Sequence, residues 1–117
     1  MSVVTLWHNP RCRKSREALQ LLQGRGTEVE IIKYLETPPT ATELNRVLGL
    51  LGMEPRDLMR KKEAPYKALN LKDPAKSREE LIAAMVANPI LIERAVAIKG
   101  DQAALGRPPE NVLALAG

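Results

Sequence analysis

The sequence predicts an α/β fold on a mixed four-stranded sheet, in the order β-α-β, an inserted helical block, then β-β-α. Three observations predict it. Residues 3–33 hold a β-branched run, a run of helical period and a second alternating run. Two capping-box patterns mark the middle of the chain as helical. Strand chemistry then returns near Val96 and is followed by a proline-initiated helix.

Val3–Trp7 (VVTLW) is rich in β-branched residues and reads as a buried strand, broken by His8-Asn9-Pro10. A helix is predicted from about Arg13 to Gly24, with Ala18, Leu19 and Leu22 on one face and Gly24 and Gly26 as its stop. Glu28–Lys33 is predicted as the second strand, turning Val29 and Ile31 inward. A strand–helix–strand crossover is right-handed and makes the two strands parallel.

Thr40-Ala41-Thr42-Glu43 is a capping box ahead of Leu44, Val47, Leu48 and Leu51, a helical i, i+3, i+4, i+7 face. Pro55 opens a short helix containing Leu58 and Met59, and Tyr66–Leu69 forms another brief turn of helix. Ser77-Arg78-Glu79-Glu80 caps a further helix through Leu81, Ile82 and Met85, ending near Asn88-Pro89. Val96-Ala97-Ile98 and Ala103–Leu105 flank the turn-prone Lys99-Gly100-Asp101 and predict a hairpin. Pro108-Pro109-Glu110 then starts a final helix bearing Val112, Leu113 and Leu115. Apart from the helical insertion, at about residues 38–88, this is the thioredoxin order.

Composition bounds the function. A chain of 117 residues fits one domain, since domains cluster near ~100–150 residues. With 44% hydrophobic and 27% charged residues, it can bury a core. The single Cys excludes an internal disulfide and a four-cysteine zinc site, and the single His excludes metal sites needing two. No apolar run reaches the ~18–20 residues of a membrane span, and no basic region precedes Val3-Val4 as in a signal peptide. A soluble, cytoplasmic monomer is expected, with no membrane partner.

The net charge is +4. Within His8–Arg16 stand Arg11, Arg13, Lys14 and Arg16 and no acid, while elsewhere bases and acids balance. The whole excess thus surrounds Cys12. A nucleic-acid binder would spread its cations and add aromatic residues for stacking. Here Phe is absent and only Trp7, Tyr34 and Tyr66 are aromatic, so a small anion or an acidic partner is expected instead.

A lone Cys is more often a small buried hydrophobe than a reagent. Cys12, however, falls between a strand and a helix, where helix N-terminal amides favour the thiolate. The neighbouring cations, with His8, are expected to add to that field, and Ser15 to donate its hydroxyl to the sulfur. Spacing prunes the chemistry further. Cys12-Arg13-Lys14-Ser15 is C-x-x-S, which removes a dithiol cycle. A phosphatase-type loop needs Arg six residues beyond the cysteine, where this chain has Ala18. A cysteine protease needs a histidine base from a distant element, and His8 shares the loop of Cys12. If Cys12 is oxidised or forms an adduct, an external thiol must resolve it, because the chain holds no second cysteine.

At HNPRCRKSREALQLL the chain resembles the glutaredoxin-coupled arsenate reductases, the ArsC family. The likeness recurs at Asp57–Arg60 (DLMR), Asn88–Arg94 (NPILIER) and Gly106–Val112 (GRPPENV), in order and in register. The resemblance implies a single thioredoxin-like domain with a helical insertion and Cys12 as the nucleophile toward arsenate. It implies that Arg60, Arg94 and Arg107 bind the oxyanion, that His8 and Ser15 favour the thiolate, and that Asn9 and Arg16 line the same loop. Glutathione as co-substrate and glutaredoxin as partner follow from it, with no bound metal or organic cofactor. Planar, permanently charged Arg donors suit a dianion that must approach a thiolate. Two positions depart from the family pattern. Ala95 replaces the cis proline that usually follows the strand arginine, leaving the isomer of the Arg94-Ala95 bond and the docking of glutathione beside it open. Arg13 replaces a small residue. Two other readings share the fold: a glutathione-dependent thiol oxidoreductase with another substrate, and a non-enzymatic regulator similar to the Spx-type RNA-polymerase-binding proteins. The latter often carry C-x-x-C, which Ser15 interrupts here.

Overall fold

The computed structural model describes residues 3–116. Four strands form one sheet in the order β2-β1-β3-β4: β1 Val3–Trp7, β2 Glu28–Ile32, β3 Val96–Lys99 and β4 Gln102–Leu105. β1 and β2 run parallel, with Val3 opposite Glu28 and Trp7 opposite Ile32. β1 and β3, and β3 and β4, run antiparallel. The sheet is therefore mixed, as the sequence predicts, and its order of elements is thioredoxin-like.

The helices are α1 Arg13–Gly24, α2 Ala41–Leu51, α3 Ala64–Ala68 and α4 Arg78–Ala87. Three 3₁₀ segments add Pro55–Leu58, Pro89–Leu91 and Pro109–Leu115. Two compact units result: residues up to Thr37 with those from Arg94 onward, and Pro38–Glu93.

In the first unit, Val4 and Leu6 of β1 pack with Ala18 and Leu22 of α1, Ala95 and Ala97, and Val112 and Leu115. All eight are at most 4% exposed. Gly106 lets the chain pass closely here. A Cβ at that position would lie 3.2 Å from the Ala95 carbonyl oxygen and 3.3 Å from a Val112 methyl. In the second unit, Leu44, Val47 and Leu48 of α2 and Leu81, Ile82 and Met85 of α4 are buried. Both helices start on their expected caps. Thr40 Oγ1 accepts from Glu43 N–H at 3.1 Å, and Ser77 and Glu80 form a reciprocal capping box.

Several expectations need correcting. Ile31 does not turn into the core but is 43% exposed, because β2 is an edge strand and only Val29 on it packs against the core cluster. Met59 lies beyond its short helix, which is 3₁₀, and forms an isolated bridge with Ile92. The final helix is a 3₁₀ segment. Pro109, Val112 and Leu115 recur every three residues and all are buried, the period of a 3₁₀ turn rather than an α-helix. Arg94, expected in strand chemistry, lies two residues ahead of β3.

Candidate active site

The site assembles in the first unit, where β1 ends and α1 begins. His8-Asn9-Pro10-Arg11 turns the chain, closed by Cys12 N–H donating to the Asn9 carbonyl at 3.0 Å. Asn9 Oδ1 accepts from Arg11 N–H at 3.0 Å, an Asx-type contact that stiffens the turn. Cys12 is then the N-cap of α1, in extended conformation (φ −96°, ψ 122°). Its carbonyl accepts from Arg16 N–H at 3.0 Å, opening the helical ladder.

An N-cap side chain faces the unpaired amides of the first turn. Here that side chain is a half-buried thiol. Burial pushes the thiol pKa up. The N–H of Ser15, the guanidinium of Arg94 through both a hydrogen bond and its charge, and the N–H of Lys14 pull it down further. The balance falls below the ordinary thiol value, which enriches the thiolate, the nucleophilic form.

Ser15 contributes differently from the expectation. Its hydroxyl is fully buried and turned back toward the preceding loop, as first-turn side chains lean toward the helix N-terminus. There it accepts from Asn9 N–H at 3.0 Å and meets His8 Nδ1 at 2.7 Å. What reaches the sulfur from Ser15 is its backbone N–H. His8 also differs. Burial, then the charges of Arg16 and Lys33, hold its pKa below 6.5. The imidazole is therefore neutral at pH 7 and adds no positive charge to the loop. Its role is to pin Ser15, and so the first turn of α1, against the loop.

The cationic run is also less focused than its density in the sequence implies. Arg13 is exposed and pairs with Glu17 across one turn at 3.1 Å. Arg16 is exposed and donates to the Pro10 carbonyl at 2.9 Å, bracing the loop. The guanidinium that acts on the sulfur is that of Arg94, distant in sequence. The Arg94-Ala95 bond is cis, as is Arg107-Pro108. Arg107 is exposed; its N–H donates to the Leu105 carbonyl at 2.8 Å, and its carbonyl accepts from Asn111 Nδ2 at 3.0 Å. Arg60 belongs to the second unit, where Glu63 and the buried Glu93 hold its guanidinium, each at 3.3 Å.

One participant escaped the sequence reading. Lys33, which helps keep His8 neutral, follows β2 directly. The parallel pairing of Trp7 with Ile32 puts His8 and Lys33 side by side at the strand ends, a signal already present once the crossover is recognised. Among the described residues, no group of three or more His, Cys, Asp or Glu could hold a metal ion. Nor is any helix among them long and apolar enough to cross a membrane.

A family model described as "ArsC family" matches residues 7–115. An Escherichia coli protein named "Uncharacterized protein YfgD" is 52% identical over 97% of both chains. A protein of Neisseria meningitidis serogroup A named arsenate reductase is 42% identical over 98% of this chain and 99% of its own. A solved structure described as arsenate reductase from Vibrio cholerae superimposes with a TM-score of 0.93 at 49% identity, covering 97% of each chain.

Proposed function

Since the chain belongs to the ArsC family, we propose that it is an oxidoreductase that reduces arsenate to arsenite through Cys12. The observation that carries this reading is the sulfur at the head of α1, held toward its thiolate by two backbone amides and the Arg94 guanidinium. Relatives named arsenate reductase supply the substrate.

In the first step the Cys12 thiolate attacks arsenic and an arsenate oxygen leaves as water, giving a covalent thiol–arsenate adduct. Arg94 offsets the repulsion between the incoming anion and the sulfur, and stabilises the oxyanion as the As–S bond forms. Glutathione thiolate then attacks the Cys12 sulfur. The As–S electron pair stays with arsenic, which leaves as arsenite, while Cys12 and glutathione join in a mixed disulfide. Glutaredoxin takes the glutathionyl group and returns Cys12 as thiolate. The arsenate step thus takes two electrons from two thiols, Cys12 and glutathione. Because glutaredoxin then restores Cys12, a full turnover draws both electrons from thiols outside the chain, as the single cysteine requires. Arg107 is a further proposed oxyanion ligand, exposed beside the core of the same unit. Arg60 is proposed in that role from the family resemblance alone. His8, Ser15, Asn9 and Arg16 act by holding the loop and the first turn of α1 in register.

The test is turnover with arsenate, glutathione, glutaredoxin and an NADPH-coupled recycling system, with Cys12→Ser as control. Arsenite production above that control is the expected result. A mixed disulfide on Cys12 without arsenate turnover would instead favour a thiol oxidoreductase acting on another substrate.

A further inference from the structure

An open cleft of about 420 Å³ lies beside the Cys12 loop. His8, Asn9 and Arg11 line one side, and Lys33, Leu35 and Glu36 the other. Parallel pairing brings these walls together: His8 N–H donates to the Ile32 carbonyl at 2.8 Å, extending the β1–β2 ladder by one step. The chain then turns, the Lys33 carbonyl accepting from both Glu36 and Thr37 N–H at 2.9 Å. Leu35 is 37% exposed, a large apolar side chain left in water among charged neighbours.

Arg11, Lys33 and Glu36 are all exposed. Among the described residues none of them enters a salt bridge within the chain. Two cations and one carboxylate around an apolar side chain complement a small zwitterion with two carboxylates, one ammonium and a short stem. Cys12, whose sulfur must be resolved from outside, follows the lining residue Arg11 directly in the chain.

We propose that this cleft seats the external thiol, a low-molecular-weight thiol with two carboxylates and one ammonium. Arg11 and Lys33 take the carboxylates, Glu36 takes the ammonium, and Leu35 covers the stem. The inference rests on the thiol-dependent cycle proposed above and locates one of its reactants.

S-Methylglutathione, which has the charges but no reactive thiol, is the probe, titrated into isotope-labelled protein and followed by NMR. Amide shifts centred on Arg11, Lys33, Leu35 and Glu36 are expected. Affinity should fall about fivefold in the Arg11→Ala/Lys33→Ala double variant, the scale of two exposed ion pairs. It should also fall in Glu36→Lys, which keeps the cations but repels the ammonium. Equal affinity in wild type and both variants, or shifts confined to another surface, overturns the proposal. So do cleft shifts caused by glutaredoxin protein but not by S-methylglutathione, which would assign the cleft to a protein partner. The titration needs no arsenate, so a failure of arsenate turnover leaves its outcome readable.

Discussion

Arg94 is the side chain on which the reactivity of Cys12 depends most. An opposite charge in hydrogen-bond contact favours the ionised form of an acid, and Arg94 acts here against burial. Arg94→Ala is therefore expected to raise the Cys12 pKa, read by thiolate absorbance across a pH series. Turnover in the wild type should rise with pH through the lowered thiol pKa and then flatten; in Arg94→Ala that rise moves to higher pH. Ser15→Ala tests a different dependency. It leaves the amide that serves the sulfur in place but strips His8 Nδ1 and Asn9 N–H of a buried partner. Its expected cost is about 1–3 kcal/mol of stability, seen as a lower melting temperature, with a smaller change in thiol pKa than Arg94→Ala produces. His8 links the same network to pH. Its folded pKa lies below 6.5, so its contribution is complete above the unfolded value and is lost as pH falls through the folded one. Melting temperatures measured from neutral to acid pH should decline in that window, and less steeply in His8→Gln.

At the scale of elements, stability rests on the packed face of α1 and on the caps of the insertion helices. Leu22→Ala removes a fully buried side chain from the first unit's core and should cost about 2–5 kcal/mol by chemical denaturation. Ser77→Ala opens the reciprocal capping box of α4 and should cost about 1 kcal/mol. The regular elements were legible because each declares its period and its ends locally: β1 by β-branching, α1 by its glycine stop, α2 and α4 by their caps. The misreadings at Ile31 and in the last helix have physical causes. Burial of Ile31 depends on how far α1 reaches over an edge strand, which β2's own alternation does not encode. The last segment shows a three-residue apolar period at Pro109, Val112 and Leu115, and a proline start alone does not separate it from an α-helix. The site was legible in part. Cys12 and its loop follow from position and charge density, whereas the hydrogen bond from Arg94 crosses more than eighty residues of chain, a distance that no local pattern spans.

For the molecule as a whole, one cysteine sets the stoichiometry of the proposed cycle. With arsenate and glutathione present but glutaredoxin withheld, the protein should stall with a single glutathionyl group, located at Cys12 by mass spectrometry of the intact chain and its peptides. More than one adduct, or continued arsenite release, would contradict that cycle. The sulfur's setting also bears on how freely the surrounding sequence can drift. Two of its donors are peptide nitrogens, at Lys14 and Ser15, which nineteen of the twenty common amino acids would provide equally well. Arg13 is exposed and spends its charge on Glu17, one turn further along α1. Proline is the one substitution at position 14 that would silence a donor while still suiting a helix's opening turn. At position 14 the constraint therefore falls on the path of the main chain and leaves an exposed side chain to vary, whereas at position 15 the buried hydroxyl is held as well.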